Sequence, residues 1–367
     1  MVGQSEKLGF QSSAYALKDG HTDTDCASFP APVFGGKVVG PHAFGFSPEL
    51  RSHMSREIGS ADLIHVHGLW MYPGILAASL SRTKACKRVV SPHGMLEPWA
   101  LGNSPWKKRL AGWLFERKNL TSAHCLHALC ANEARSFREF GLSNPIAVIP
   151  NGVELDELAP RPDPAGIWRK YPELPGRKIF LFLSRVHPKK GLPDFLHAWR
   201  EARAHEQNWA LVVVGPDELS HEAELRKLAG EMGIASQVTF AGPAYGEEKR
   251  AFLALANAFV LPSLSEGFSM AVLEAAAAGL PVLLTRECNF PELATAGAAI
   301  EVPAGRSGIL AGLRRFLNLT EAERQQMGGR GLELVKKTYT WTAVGLQMKS
   351  VYDWLQAGGS RPDCVQL

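Results

Sequence analysis

Cysteine is scarce in this sequence and nowhere paired. Six cysteines, Cys26, Cys86, Cys125, Cys130, Cys288 and Cys364, are scattered through 367 residues. None forms a C-x-x-C pair or stands at zinc-ligand spacing from a histidine, which argues against a disulfide scaffold or a zinc ribbon. Scattered single cysteines fit a reducing compartment, so a cytoplasmic location is expected. Long apolar runs are missing too. Nothing approaches the roughly 18–20 residues that span a bilayer, and the opening MVGQSEKLGF lacks the apolar core of a signal peptide. Membrane contact is therefore expected to be peripheral. Charge of one sign is weak: the net charge of +4 is too mild for a dedicated nucleic-acid binder. There is no G-x-x-x-x-G-K-[ST] loop, no G-x-G-x-x-G between a strand and a helix, no H-E-x-x-H and no G-x-S-x-G. These absences argue against a P-loop NTPase, a standard dinucleotide enzyme, a zincin and an α/β-hydrolase.

What is present is an ordinary globular balance, 46% hydrophobic and 21% charged, at a length that suggests two domains. Short apolar runs alternate with helical patterns. In the first half, 62–67 (DLIHVH), 88–92 (RVVSP), 123–128 (AHCLHA) and 146–150 (IAVIP) read as strands, and segments near 72–82, 105–118 and 130–140 as helices. In the second half the strands are 178–183 (KIFLFL), 209–214 (WALVVV), 238–241, 258–261 (AFVL) and 281–284 (PVLL). Near-continuous apolar strands between helices predict an α/β protein with parallel sheets covered on both faces. The stretch 159–175 (APRPDPAGIWRKYPELP), with five prolines, is the expected boundary. It separates a first domain, 1–160, from a second, 161–340, with a helix at 341–357 returning to the first. Doubly wound sheets bind ligands beyond the carboxyl ends of their strands, so the cleft between two such domains is the expected site.

Two segments carry the chemistry. In 264–282 (LSEGFSMAVLEAAAAGLPV) a strand ends, a glycine loop follows and an alanine-rich helix opens near Ser269, a plausible N-cap. Backbone N–H groups near Met270, with the helix dipole, offer a site for a diphosphate. Glu266 lies in the loop and Glu274 about a turn into the helix. A carboxylate there can accept two hydrogen bonds from a vicinal diol such as a ribose. The small and apolar residues between the two glutamates make a poor solvated face, the ordinary alternative. In 182–199 (FLSRVHPKKGLPDFLHAW) Arg185 and Lys190, with Lys189 as the neighbouring alternative, sit on a strand-end loop. Two fixed cations there can neutralise a departing nucleoside diphosphate; taken alone, such a loop is more often plain basic surface.

Together these motifs, S-R-V-H-P-K-K-G and E-G-F-S-M-A-V-L-E, resemble the family-4 retaining glycosyltransferases of the GT-B fold. I-P-N-G-V-E (149–154), H-V-H-G (65–68) and S-P-H-G-M-L (91–96) extend the resemblance from about residue 60 to the end. The resemblance implies two Rossmann-like domains and transfer of a hexose from a nucleotide-diphosphate sugar to a glycan or polyprenyl-diphosphate-linked acceptor, in surface polysaccharide or lipopolysaccharide assembly. No metal and no cofactor beyond the donor substrate are implied. Arg185 and Lys190 would bind the diphosphate and Glu274 the ribose. Glu266, with the backbone of Gly267, Phe268, Ser269 and Met270, would contact the transferred sugar and the diphosphate. His93 would face the reacting sugar, and Gly215 and Pro243 would line the base pocket. The implied course is an oxocarbenium-like state with the leaving phosphate taking the acceptor proton.

Other features admit more than one reading. His65 and His67 share a strand face and could hold a metal, but no third ligand is identifiable, so cleft lining or packing is favoured. His187 is expected to shape the Arg185 loop. Asp23-Thr24-Asp25 imitates a metal-binding D-x-D in a polar stretch without a strand before it, and reads as loop. In 106–118 (WKKRLAGWLFERK), Trp106, Leu110, Trp113 and Leu114 form one helical stripe and the cations crowd elsewhere, with 82–88 (RTKACKR) adding more. The stripe either packs inward or rests on an anionic bilayer at the inner face of the plasma membrane. Family members begin with a strand, a glycine loop and a helix; no such unit is legible before SSAYALKDG, and Gly35-Gly36 come too late to replace it. The first domain is therefore expected to be incomplete at its N-terminus. A GT-B nucleotide-sugar epimerase, or a nucleotide-sugar-binding protein without turnover, are the alternatives.

Overall fold

The computed structural model describes residues 2–5, 7–19, 26, 29–102, 105–155 and 162–367, without the side chains of Pro105, Lys107 and His205. Asp23-Thr24-Asp25 and the start of the proline-rich stretch lie outside the described residues. The chain divides into two units: unit 1 is Met1–Asn151 with Trp341–Leu367, and unit 2 is Gly152–Thr340. The crossing at Asn151 and Gly152 lies ahead of the proline-rich stretch. The physical reason is local: Val153 is buried in the core of unit 2 and bridges Thr340.

Unit 1 contains seven strands among the described residues. They are β1 (Ala14–Leu17), β2 (Val33–Gly36), β3 (Leu63–His67), β4 (Lys87–Ser91), β5 (Cys125–Ala128), β6 (Ile146–Val148) and, at the end of the chain, β13 (Val365–Gln366). They make two sheets, a parallel pair β1-β2 and a five-stranded sheet in the order β13-β6-β5-β4-β3. Only the β13–β6 pairing is antiparallel. The strand alternation splits the core in two. Val66, Val90, Leu126 and Ile146 face one cluster, whereas Val89, Cys125 and Ala147 face the other. The second cluster is covered by the helix Trp341–Ala357 through Val344, Met348 and Val351. The expected helix at 105–118 becomes Pro105–Ala111, a π-helical turn Gly112–Glu116 and Arg117–Thr121. Among the described residues, no strand–loop–helix unit precedes β1.

Unit 2 holds β7 (Lys178–Leu183), β8 (Trp209–Val214), β9 (Val238–Gly242), β10 (Ala258–Leu261), β11 (Val282–Thr285) and β12 (Ala299–Val302). All pair in parallel, in the order β12-β11-β10-β7-β8-β9. The winding runs outward one way from β7 to β9, then returns to place β10 on the other side of β7. The boundary between β7 and β10 is therefore the topological switch point, where loops splay apart beyond the carboxyl ends of the strands. The interior strands are apolar along their whole length because helices cover both faces; every residue of β8 is buried.

Candidate functional site

The loops after β7 and β10 meet at that switch point. After β7, His187 opens a short 3-10 turn, Pro188–Lys190, its Nδ1 accepting from the Lys189 N–H. His187 thus shapes the loop, as the sequence suggests. Gly191 closes the turn with φ +70; a Cβ there would stand 2.0 Å from the carbonyl oxygen of Pro262. Only glycine permits this approach between the two loops. Leu264 N–H donates to the Lys189 carbonyl, fastening them further.

Lys190 Nζ lies 2.6 Å from Glu266 Oε1, with side-chain exposures of 8% and 12%. Ser263 Oγ donates to the same carboxylate oxygen at 2.6 Å. Glu266 is therefore a largely enclosed, hydrogen-bonded carboxylate and not part of a solvated face. The backbone around it is pinned from the turn after β11: Glu266 N–H donates to the Glu287 carbonyl, and Asn289 Nδ2 donates to the carbonyls of Glu266 and Gly267. Phe268 packs at a tilt on Phe290 and flat toward Tyr339, so its side chain anchors the loop while its backbone stays at the site. Ser269 caps the helix Met270–Ala277, its Oγ accepting from Val272 N–H. Glu274, on the same helix, is paired at 2.9 Å with Lys249 Nζ from the helix Gly246–Leu255 after β9.

Arg185 is more open. Its guanidinium is 56% exposed and holds Glu218, from the loop after β8, at 2.8 Å. Gly215 begins that loop with φ +149, and a Cβ there would fall 1.9 Å from the Ser184 carbonyl oxygen. The glycine lets the β8 loop press against the Arg185 segment. Pro243 is exposed after β9, just before the helix that carries Lys249. Arg185, Lys190, Glu266, Ser269, Glu274, Gly215 and Pro243 thus all follow carboxyl ends of strands in one sheet. Sequence reasoning missed Glu218, Lys249, Ser263 and Asn289, because each is defined by a partner distant in sequence; only the polar loops G-P-D-E and T-R-E-C-N marked their places.

His93 belongs to unit 1. It sits after β4 with φ +54, an uncommon conformation for a residue with a side chain. Glu133, in the first turn of the helix Ala131–Glu139, accepts from Gly94 N–H and Leu129 N–H, both at 2.6 Å, and so fixes this loop. Burial pushes the Glu133 carboxyl above the ordinary range, against the pull of those two hydrogen bonds. His93 Nε2 is 2.9 Å from His67 Nδ1. Burial holds His93 below the usual histidine range, and burial followed by the nearby His93 brings His67 down to about 4. His65 and His67 are engaged by hydrogen bonds and ring stacking. Among the described residues no group of three or more His, Cys, Asp or Glu is arranged to hold a metal.

The apolar stripe of the segment 105–121 lies at the surface of unit 1. Trp106, Leu110, Trp113 and Leu114 are 66%, 50%, 81% and 58% exposed, so the stripe does not pack into the core. One expected cation is corrected. Arg88 is fully buried, donating to Asn119 and Ser122, and adds nothing to the basic surface.

Two family models match the chain: glycosyl transferases group 1 over residues 167–332 and a glycosyl transferase 4-like domain over residues 11–152. A phosphatidyl-myo-inositol mannosyltransferase of Mycobacterium leprae is 28% identical over 333 residues, covering 86% of this chain and 80% of that protein. A GDP-mannose:cellobiosyl-diphosphopolyprenol alpha-mannosyltransferase of Xanthomonas campestris is 29% identical over 241 residues, 65% of this chain and 59% of that protein. Among solved structures, a sucrose-phosphate synthase from Thermosynechococcus elongatus shares the fold, with a TM-score of 0.74 at 20% identity over 98% of this chain and 92% of that one. With both halves matched, two α/β units in place and unit 2 built on a parallel doubly wound sheet, the chain belongs to the group 1, family-4 glycosyltransferases of the GT-B fold.

Proposed function

We propose that the chain transfers a hexose from a nucleotide-diphosphate sugar to a glycan or lipid-linked acceptor, with retention of configuration and without a bound metal. The observation that carries this reading is the set of charged side chains at the switch point of unit 2, beside the amino end of the helix Met270–Ala277. Arg185 and Lys190 neutralise the diphosphate, aided by backbone N–H groups at Met270. Glu274 takes the ribose hydroxyls, with Lys249 Nζ holding its carboxyl in place. Glu266 and the backbone of Gly267, Phe268 and Ser269 hold the sugar and the diphosphate, and Gly215 and Pro243 flank the base. The bond from the anomeric carbon to phosphate oxygen breaks, the acceptor oxygen bonds the same face of that carbon, and its proton passes to the departing phosphate. His93 orients or stabilises the reacting sugar; its lowered proton affinity suits a neutral imidazole.

The two relatives are named as mannosyltransferases, one of them GDP-mannose-dependent, which makes GDP-mannose the first donor to test. Their names also carry a phosphatidylinositol and a polyprenol-linked acceptor, and a lipid-linked acceptor suits the exposed tryptophan stripe at 106–118 with Arg109, Arg117 and Lys118 exposed around it. Such a segment suits an anionic bilayer surface, and this supports reading the enzyme as a cytoplasmic one that works at the inner face of the plasma membrane, in surface polysaccharide or lipopolysaccharide assembly. The test is a thermal-shift series with GDP, UDP and their sugars on wild type and Glu274→Ala. A rise of several degrees with one nucleotide, lost in the variant, is expected. No stabilisation by any of them overturns the donor site. Donor consumption without acceptor would instead indicate an epimerase.

A further inference from the structure

We infer that Tyr352 and His65 are positioning residues for His93: a hydrogen-bond chain of one fixed direction, from the helix Trp341–Ala357 to the backbone of Ile149, holds the base of a three-imidazole stack that ends on His93. This deepens the proposed role of His93 and rests on it.

The direction follows from one end. His127 Nε2 lies 2.8 Å from the Ile149 carbonyl oxygen, and a carbonyl can only accept. His127 therefore carries its proton on Nε2, and its Nδ1 is a bare acceptor when the ring is neutral. Ser91 Oγ, 2.7 Å away, must donate to it. The Ser91 hydroxyl has then spent its proton, so it accepts from His65 Nε2 at 2.6 Å. His65 Nδ1 is left bare and accepts from the Tyr352 hydroxyl, also at 2.6 Å. Every member is assigned without choice, and no reversed arrangement satisfies the Ile149 carbonyl while all rings stay neutral. Neutrality is itself favoured. Ser91 and His127 are buried, burial holds His127 at about 4, and burial with the three neighbouring imidazoles holds His65 well below the usual range. The groups that face His65 are Tyr352, Ser91, His67 and His127, with His93 beyond.

The stack converts this rigidity into aim. The His65 and His67 rings lie 4.4 Å apart at 21°, and those of His67 and His93 5.2 Å apart at 12°. The His67–His93 hydrogen bond links the upper two. Glu133 fixes the backbone of the His93 loop, and the stack fixes the ring. Tyr352 is seated by Phe10 edge to face and by the neighbouring Val351 in the core, so the donor at the head of the chain is held by packing. The sequence signal was the alternation H-V-H at 65–67 with the serine that opens S-P-H at 91–93; the histidine pair read only as cleft lining or packing.

The test starts with nitrogen-15 NMR of the imidazoles in the full chain at pH 7.5. Both His65 and His127 are expected to be neutral with the proton on Nε2. A proton on Nδ1 of either, or a charged ring at that pH, overturns the chain whether or not any transfer is detected. Tyr352→Phe keeps the ring and removes the donor; His65 should stay protonated on Nε2, which Ser91 still requires, while its Nδ1 loses the shift of an accepted hydrogen bond. Transfer should fall about tenfold in kcat with an unchanged KM for the nucleotide sugar. Ser91→Ala cuts the same chain elsewhere and should give the same loss, and the two together no more than either alone. Folded variants that keep wild-type kcat sink the positioning role. Wild type inactive with every donor and acceptor would count against glycosyl transfer, while the tautomers would still decide the chain.

Discussion

Lys190 and Glu266 show what a buried ion pair does in this protein. Two charges so enclosed lose much hydration, and their attraction with the Ser263 hydrogen bond roughly offsets that loss. Their value lies in a fixed geometry, and removing one partner strands the other. Lys190→Met is expected to destabilise the chain by about 3–5 kcal/mol. Adding Glu266→Gln should recover most of that in chemical denaturation without restoring any nucleotide response in thermal shift; a double variant no more stable than the single one would contradict this account. Arg185 and Glu218, both well exposed, should differ. Arg185→Ala is expected to change stability by less than about 1 kcal/mol while weakening diphosphate binding by calorimetry. Histidine sets the acid limit. The folded state holds His127 at about 4 against an ordinary 6.5, so between those values the unfolded chain binds the extra proton. Stability is then complete above about pH 6.5 and declines as pH falls toward about 4, by at most about 3 kcal/mol for this ring. The raised Glu133 carboxyl works in the opposite sense, since its neutral form favours the fold at low pH. Urea unfolding of unit 1 followed from pH 7.5 to 4.5 should show a net loss, and His127→Gln should flatten it.

At the scale of elements, the exposed stripe of 105–121 makes a separable prediction. Trp113 is 81% exposed, so Trp113→Ala should leave the unfolding free energy unchanged within about 0.5 kcal/mol. Co-sedimentation with vesicles rich in anionic lipid should drop severalfold, and more steeply with Trp106→Ala added. Unaltered vesicle binding would remove the membrane role from this segment. The same elements show where sequence reading works. β7, β8 and β10 are legible to the residue because each is a continuous apolar run, ended at Gly215 and Pro262 for the latter two. β1, β2, β12 and β13 were not, because they carry no such run and take their identity from a partner strand. The helix Pro48–Glu57 was missed although Ser47 before Pro48 is a good N-cap and does accept from Leu50 N–H. The residues proposed to bind the donor were legible as motifs, whereas their pairing with Glu218 and Lys249 depends on strand order, which no local pattern encodes. Arg88 misled for a related reason: a cation inside a basic run looks solvated until Asn119 and Ser122 are seen beside it.

For the whole molecule, the two units differ in how the chain supplies them. Unit 2 is one continuous stretch with its own core of large buried side chains, including Phe180, Trp199, Trp209 and Phe316. Unit 1 is split, and one face of its sheet, around Val89, Cys125, Ala147 and Ile149, is covered by Val344, Met348 and Val351 from the far end of the sequence. Leaving such a face bare costs on the order of 25 cal/mol per Å² of apolar area, several kcal/mol for a helix of this length. Residues 152–340 expressed alone should therefore fold cooperatively and, holding Arg185, Lys190, Glu266 and Glu274, should still be stabilised by the nucleotide that stabilises the full chain. At 100 times the dissociation constant the shift corresponds to about 2.7 kcal/mol. Residues 1–151 alone should be molten or aggregated until a peptide spanning 341–367 is added. Circular dichroism melts of the two pieces, with and without nucleotide and peptide, decide the matter. A second unit that unfolds by itself, or a first that melts cooperatively without the helix, would mean that the continuity of the chain does not govern which unit is autonomous.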